Sequence, residues 1–226
     1  MKLEIRQPVK FGLNEAVIGN LLTTIPSLVL GMLVALGFVM PPISLLFLLT
    51  RTTTPIIFIL SLMFSAICLM TGFILFYFFP LLLNVNYYIK FIARRIVSPA
   101  PEGGHVCQIS MTPKLCSGLR AGLEDADDIG YLSISGEGVE FKGDSIEFSI
   151  PKEEIANVRS CNIGWRGYWV AGKRIRFTIT GHDKFKEIEI CERHTWTIPD
   201  SRNLSDQIYA RISSLLKQNP WANCKI

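Results

Sequence analysis

The sequence predicts an α+β protein: a two-helix transmembrane hairpin followed by an antiparallel β-domain that ends in a helix. Three observations predict this class. Two long runs, 25–49 and 56–83, contain no Asp, Glu, Lys, Arg or His. Between residues 130 and 192 apolar and polar side chains alternate, which is typical of strands with one buried face. Near the C-terminus apolar residues recur at helical spacing.

Both uncharged runs are long enough to cross a bilayer, because a helix needs roughly 20 apolar residues to span the hydrocarbon core. A cleaved signal peptide has a shorter apolar stretch followed by a small-residue cleavage site. Here a second, longer run follows at once. We therefore predict an integral membrane protein whose hairpin occupies 25–83, with spans at about 25–49 and 56–83.

Basic residues around the hairpin predict its orientation. Three precede the first span and three follow the second, whereas Arg51 is the only charge in the turn. Short loops rich in Lys and Arg stay in the cytoplasm. We therefore expect insertion in the plasma (inner) membrane, with both termini and the C-terminal domain cytoplasmic. The flanking cations are Lys2, Arg6, Lys10, Lys90, Arg94 and Arg95.

Three features of the N-terminal half leave alternatives open. At Pro41-Pro42 the first helix either ends and restarts or kinks, because proline lacks a backbone donor. Gly31 and Gly37 would let another helix approach closely, which makes a homo-oligomer one expectation. The cytoplasmic segment 1–24 is expected to contain a short interfacial helix.

Residues 84–104 form the predicted juxtamembrane segment and linker. Aromatic residues are typical of the headgroup level, and cations just inside it contact anionic lipid. A plain stop-transfer flank and specific lipid contact both fit this composition. The sequence "SPAPEGG" at 98–104 is typical of a linker and places a domain boundary there. The predicted membrane-interface residues are Tyr87, Tyr88, Lys90, Arg94 and Arg95.

Residues 105–226 have the composition of a cytoplasmic domain. Its turns at Gly136-Glu137-Gly138 and Gly143-Asp144 have the residues that tight hairpins require. Leucines spaced by four residues predict a short helix in the segment 114–128. The predicted strands are 105–111, 131–135, 139–142, 145–150, 155–160, 174–180 and 186–192, with a short piece at 195–198.

The final segment, 199–218, predicts an amphipathic helix that Asp200 or Ser201 caps.

The order of the predicted elements, several strands followed by one helix, resembles the pleckstrin-homology-like superfold, including the bacterial PH and GRAM-type domains. The segments that match it are "GYLSISGEGVEF" (130–141) and "FSIPKEEIANVR" (148–159). The resemblance covers roughly 106–218. It implies a PH-like antiparallel β-barrel or sandwich with the helix over one end. The helical insertion before the sheet departs from that pattern.

The segment "RSCNIGWRGYWVAGKR" (159–174) supplies the candidate contact residues for a protein partner or lipid. Trp, Tyr and Arg are enriched at interaction hot spots and Trp and Tyr at membrane interfaces. The alternative is that its aromatic rings fill the barrel. The candidates are Trp165, Arg166, Tyr168, Trp169, Lys173 and Arg174.

Several function classes are disfavoured. A formal charge of +4 is too mild for a dedicated nucleic-acid binder. The three histidines and six cysteines match no catalytic or metal-binding spacing, so we expect no catalytic residues, no cofactor and no bound metal. The acidic run "EDADD" (124–128) is interpreted as a solvated helix end rather than a cation site. The first hairpin carries three carboxylates and one lysine, which disfavours a phosphoinositide pocket.

We therefore expect a non-enzymatic, membrane-anchored interaction or scaffold module, as a subunit of a larger inner-membrane complex. Its expected partners are the bilayer and either other proteins or further copies of the chain. The alternative is a peripheral module that contacts anionic lipid at the inner leaflet.

Overall fold

The computed structural model describes residues 1–6, 10–51, 54–77, 84–115, 126–163, 172–180 and 184–217. The fold class is α+β, as the sequence predicts: two long apolar helices precede a curled eight-stranded antiparallel sheet and a C-terminal helix. The helices of this part of the chain are α1 (Leu13–Leu49), α2 (Pro55–Tyr77), α3 (Asn84–Ile96) and α4 (Ile198–Lys217).

Helices α1 and α2 form an antiparallel hairpin whose turn includes Arg51 in the left-handed region, at φ 58°. The segments Leu28–Leu49 and Pro55–Leu75 are long and apolar enough to cross a membrane. Only 11% and 22% of the residues in these two segments are buried within the protein. Their apolar side chains therefore face outward, as lipid contact requires.

Helix α1 continues through Pro41-Pro42 without the interruption that was one of the two expectations. Pro41 has no N–H, so the carbonyl of Gly37, four residues earlier, loses its usual partner. The Ser65 hydroxyl of α2 donates a hydrogen bond to that carbonyl. Next to it, Ser61 donates to the Ser44 hydroxyl at 2.7 Å. A serine on the neighbouring helix thus satisfies the backbone group that the proline frees.

The two glycines of α1 have different surroundings. A Cβ atom on Gly37 would lie 2.6 Å from Leu69 Cγ, so this glycine allows α2 to approach α1 within one chain. A Cβ atom on Gly31 would meet nothing within 4 Å. Close packing at Gly37 is therefore intramolecular, and an oligomer contact at Gly31 stays a prediction.

The sheet has the strand order β1-β5-β4-β3-β2-β8-β7-β6, and every neighbouring pair is antiparallel. Its edge strand β1, which pairs with β5, was not predicted. Instead of a separate short interfacial helix within 1–24, the residues from Leu13 onward form the first turns of α1. A short 3-10 turn, Lys152–Glu154, connects β5 to β6. The strands are β1 (Lys2–Ile5), β2 (His105–Thr112), β3 (Asp128–Ile134), β4 (Gly138–Gly143), β5 (Ile146–Pro151), β6 (Ile155–Ile163), β7 (Gly172–Ile179) and β8 (Glu187–Glu192).

The seven longer predicted strands correspond to β2–β8, but the short piece at 195–198 is not a strand. Helix α4 begins at Ile198, and its cap is Thr197 rather than the expected Asp200 or Ser201. The Thr197 hydroxyl accepts the Asp200 N–H at 3.2 Å and donates to the Asp200 carboxylate at 2.6 Å. The Thr197 hydroxyl thus accepts the N–H at the third helical position, as an N-cap side chain does, and its own hydrogen is bonded to the Asp200 carboxylate.

The main core lies between the concave face of the sheet and α4. Phe141 and Phe177 of the sheet are fully buried, and Ile208 and Ile212 of α4 pack against the same cluster. Full burial of one such side chain stabilises a fold by about 1.5–3 kcal/mol. Helix α4 therefore closes one face of the sheet, as the amphipathic pattern predicts.

Two residues of the acidic run "EDADD" are buried, which corrects the interpretation as a solvated helix end. The Asp127 carboxylate accepts the backbone N–H groups of Met111 and Leu115. The Asp128 carboxylate accepts those of Ile129, Ser145 and Ile146 at 2.7–2.8 Å. Burial nevertheless raises the pKa of Asp128 to about 6. Both carboxylates thus hold turns of the sheet together; residues 124 and 125 lie outside the described chain.

Candidate functional site

Helix α3 is amphipathic and packs on the sheet, although the sequence suggested only a flank and a linker. Its Ile89, Ile92 and Ala93 are at most 4% exposed. They form a second apolar cluster with residues of β2, β3 and the segment just before α1, namely Val106, Ile129, Tyr131 and Phe11. Because this cluster joins three parts of the chain, the sheet domain is attached to the base of the helical hairpin.

A second attachment joins the chain before α1 to the β4–β5 turn. Asp144 Oδ2 accepts the backbone N–H groups of Lys10 at 2.6 Å and Phe11 at 2.8 Å. The Arg6 N–H donates to the Ser145 carbonyl at 2.7 Å. Together with the β1–β5 pairing, these bonds attach the N-terminal flank of the hairpin to the sheet domain.

The first exposed surface of α3 combines aromatic rings with a cation. The rings of Tyr87 and Trp196 lie 5.5 Å apart between centroids, and Lys90 Nζ lies 5.8 Å from the Trp196 ring centre. Burial lowers the pKa of Lys90, and the neighbouring Arg94 adds to that shift. Trp196 is not among the interface residues predicted from the sequence, because the pattern of 195–198 predicts a short strand there. An isolated tryptophan in that polar segment is the signal that identifies it.

The second exposed surface is a groove of about 610 Å³ between the start of α1 and α3. We call it the basal groove. The Arg95 guanidinium lies 4.7 Å from the Phe91 ring centre, and Lys10 Nζ donates to the Arg95 carbonyl. The groove is lined by Lys10, Glu15, Tyr88, Phe91, Ile92, Arg94, Arg95 and Ser98. Three of the five predicted interface residues, Tyr88, Arg94 and Arg95, thus line the groove with Lys10. The other two, Tyr87 and Lys90, lie beside Trp196.

Of the candidate contact residues at the end of β6 and the start of β7, two are described. Lys173 pairs with Asp206 of α4 at 2.5 Å. Arg174 pairs with Glu189 of β8 at 3.2 Å, and both side chains are mostly covered. The remaining candidates, Trp165, Arg166, Tyr168 and Trp169, lie outside the described residues, so their contact role stays a prediction.

A histidine pair lies close to α3, at the ends of β2 and β8. The rings of His105 and His194 have centroids 6.1 Å apart, and burial lowers the pKa of both. The buried Glu192 carboxylate accepts the N–H groups of His194 and Thr195. Among the described residues, no group of three or more His, Cys, Asp or Glu side chains is arranged to hold a metal ion.

Comparisons with known proteins add no identification: no family model, no curated protein and no solved structure matches this chain.

Proposed function

We propose that this chain is a non-enzymatic, membrane-anchored interaction module that presents a PH-like sheet domain and the base of its hairpin to a protein partner at the cytoplasmic face. The partner belongs to a larger inner-membrane complex or is a second copy of the chain. Attachment at β1, Asp144 and α3 supports a fixed presentation rather than a flexible tether. Anchoring also raises local concentration, so that a weak contact suffices.

The observation that carries this proposal is an uncovered apolar stripe on α1 before its membrane-spanning segment. Leu13, Val17 and Leu21 recur every four residues and are 38–53% exposed. Residues spaced by four lie on one side of a helix. We call them the α1 stripe. An apolar stripe in water is a typical site of protein contact.

The distance between the start of α1 and the membrane-spanning segment favours contact of the α1 stripe with a protein rather than with lipid. The segment that is apolar and long enough to cross a membrane begins at Leu28, and the span predicted from the sequence begins at about residue 25, so it starts ten to thirteen residues after Glu15. At about 1.5 Å per residue, Glu15 lies about 15–20 Å along α1 from the start of this segment. The headgroup layer is only about 5–8 Å thick. Lys10 and Arg95 at the basal groove therefore lie beyond it when α1 stands near the membrane normal.

A lipid-contacting module is the second candidate, and the cluster of Tyr87, Lys90 and Trp196 favours it. Aromatic rings beside a cation suit an anionic interface. For these groups to reach lipid, α1 must tilt strongly or the bilayer must curve toward the domain. A variant that keeps Trp196 and carries phenylalanine at the other three tryptophan positions distinguishes the two candidates by its fluorescence in nanodiscs with depth-graded quenchers. Quenching at the headgroup level supports lipid contact, and no quenching supports a protein-covered surface.

The test of protein docking compares substitutions on two exposed apolar faces. The variant Val17→Gln/Leu21→Gln changes the α1 stripe, and Phe91→Gln changes an equally exposed apolar residue on α3. Glutamine forms helices well, so neither variant disturbs its helix. After crosslinking in native membranes, we expect the wild type and Phe91→Gln to join a larger assembly and the stripe variant to lose it.

Two outcomes would contradict the proposal: a wild-type chain that migrates alone, or a stripe variant that assembles like the wild type. The variant Trp165→Ala/Trp169→Ala tests the predicted contact segment in the same assay. Loss of assembly there identifies a second contact, and unchanged assembly removes that segment from the docking surface. The full chain is used because β1 and the start of α1 belong to the folded domain.

A further inference from the structure

We infer that the basal groove binds a ligand carrying a phosphate group, either a free phosphate compound or a phosphorylated headgroup. This goes beyond the docking function, because the groove lies on α3 and the start of α1 and does not include the α1 stripe. A volume of about 610 Å³ is within the size range of small-molecule sites.

Charge is the first argument for an anionic ligand. Lys10, Arg94 and Arg95 line the groove, and Glu15 is its single carboxylate. That carboxylate accepts the Gly12 N–H at 2.9 Å, so it is engaged in capping α1. Three cations around one engaged carboxylate leave the groove with excess positive charge. The start of α1 adds to it, since a helix N-terminus has partial positive charge.

The geometry of the donors is the second argument, and it favours phosphate over a simple carboxylate. The Lys10 ammonium donates one hydrogen to the Arg95 carbonyl, which holds it at the groove and leaves two further donors. The Arg95 guanidinium is held over the Phe91 ring. Two adjacent arginines offer forked donors, which bind the several oxygens of a phosphate better than isolated point charges do.

The position of the groove favours a free phosphate compound over a lipid. Glu15 lies about 15–20 Å along α1 from the apolar spanning segment, so a phosphodiester in a flat bilayer does not reach the groove when α1 stands near the membrane normal. The ring faces of Tyr88 and Phe91 also line the groove. They would cover an apolar or planar part of the ligand next to its phosphate. A free phosphate compound and a lipid headgroup present the same phosphate group to these donors. The experiment therefore has one arm for each source.

The experiment uses the full chain in nanodiscs and pyrophosphate as the soluble probe. In nanodiscs of phosphatidylcholine alone, we expect saturable pyrophosphate binding by titration calorimetry. In the lipid arm, nanodiscs containing phosphatidic acid replace pyrophosphate, and protection of Arg94 and Arg95 from a guanidine-modifying reagent reports binding. Binding in the first arm identifies a free phosphate ligand, and binding only in the second identifies a lipid.

Variants connect the binding to this groove. Arg94→Gln/Arg95→Gln should weaken pyrophosphate binding at least about tenfold. Lys2→Gln/Lys142→Gln removes the same charge from exposed positions on the sheet and should leave it unchanged. Glu15→Gln keeps an oxygen for the Gly12 N–H while removing the repulsive charge, and should strengthen binding about threefold. No binding in either arm, or equal loss in both double variants, would overturn the inference while leaving the docking assay unaffected.

Discussion

The Ser65–Gly37 hydrogen bond allows a quantitative test of how the hairpin tolerates its prolines. Ser65→Ala removes the hydroxyl that donates to the Gly37 carbonyl. Hydrogen bonds between membrane helices contribute about 0.6 kcal/mol on average and up to about 1.7 kcal/mol. This carbonyl has lost its usual donor at Pro41, so the cost should lie at the upper end. We expect Ser65→Ala to destabilise the hairpin by about 1.5 kcal/mol.

The decisive measurement is a double-mutant cycle with Pro41→Ala. The new N–H at position 41 would bond to the Gly37 carbonyl, so Ser65→Ala should then cost about 0.5 kcal/mol and the coupling should be about 1 kcal/mol. Reversible unfolding in bicelles by steric trapping measures each corner. Ser61→Ala is the control for losing an interhelical hydroxyl, because Ser61 donates to the Ser44 hydroxyl and not to the carbonyl that Pro41 leaves without a donor. Equal costs of Ser65→Ala in both backgrounds would refute this reasoning.

Three further predictions follow from the packing. Gly37→Ala should destabilise the hairpin in the same assay, whereas Gly31→Ala should leave it unchanged, since only the first Cβ meets α2; equal effects would contradict the helix register. Because burial raises the pKa of Asp128 from 3.8 to about 6, the folded domain holds this proton more tightly than the unfolded chain. Its stability should therefore fall by about 2 kcal/mol relative to Asp128→Asn as the pH rises from 4 to 7; parallel denaturation curves would disprove this. Asp144→Ala should speed amide exchange at Phe11 at least about tenfold, because its N–H loses its acceptor; unchanged exchange would mean that this attachment does not hold the segment.

The sequence predicts those parts of the fold that local patterns determine. The alternation of apolar and polar side chains and the turn residues together predict β3, β4 and β5. The turn at Gly136–Gly138 connects β3 to β4 and the turn at Gly143-Asp144 connects β4 to β5, so each pairing joins strands that follow each other in the sequence. Strand β1 could not be located in this way. Its partner β5 lies more than 140 residues away, and four residues contain too little pattern to predict a pairing.

Long-range contacts also explain the incorrect interpretations. Asp127 and Asp128 look solvated in a run of acids, yet their partners include N–H groups at Met111 and Ser145 that only the folded sheet brings close. Helix α1 continues through two prolines because a serine on another helix compensates. At the candidate site, the aromatic and cationic residues of α3 were identified from composition. Their neighbours Lys10 and Trp196 were not, because the groove and the ring cluster depend on tertiary packing.

The central claim is that the sheet domain and the base of the hairpin form one unit on one side of the membrane. Glu4 of β1 lies directly opposite Glu147 of β5, at a separation that suits a disulfide. In native membranes, Glu4→Cys/Glu147→Cys should therefore crosslink rapidly under mild oxidation, while the control pair Glu4→Cys/Glu187→Cys, five strands apart in the sheet order, should not. If the first pair did not crosslink and its two thiols were accessible from opposite sides of the membrane, β1 and β5 would not belong to one folded unit, and this conclusion would be wrong.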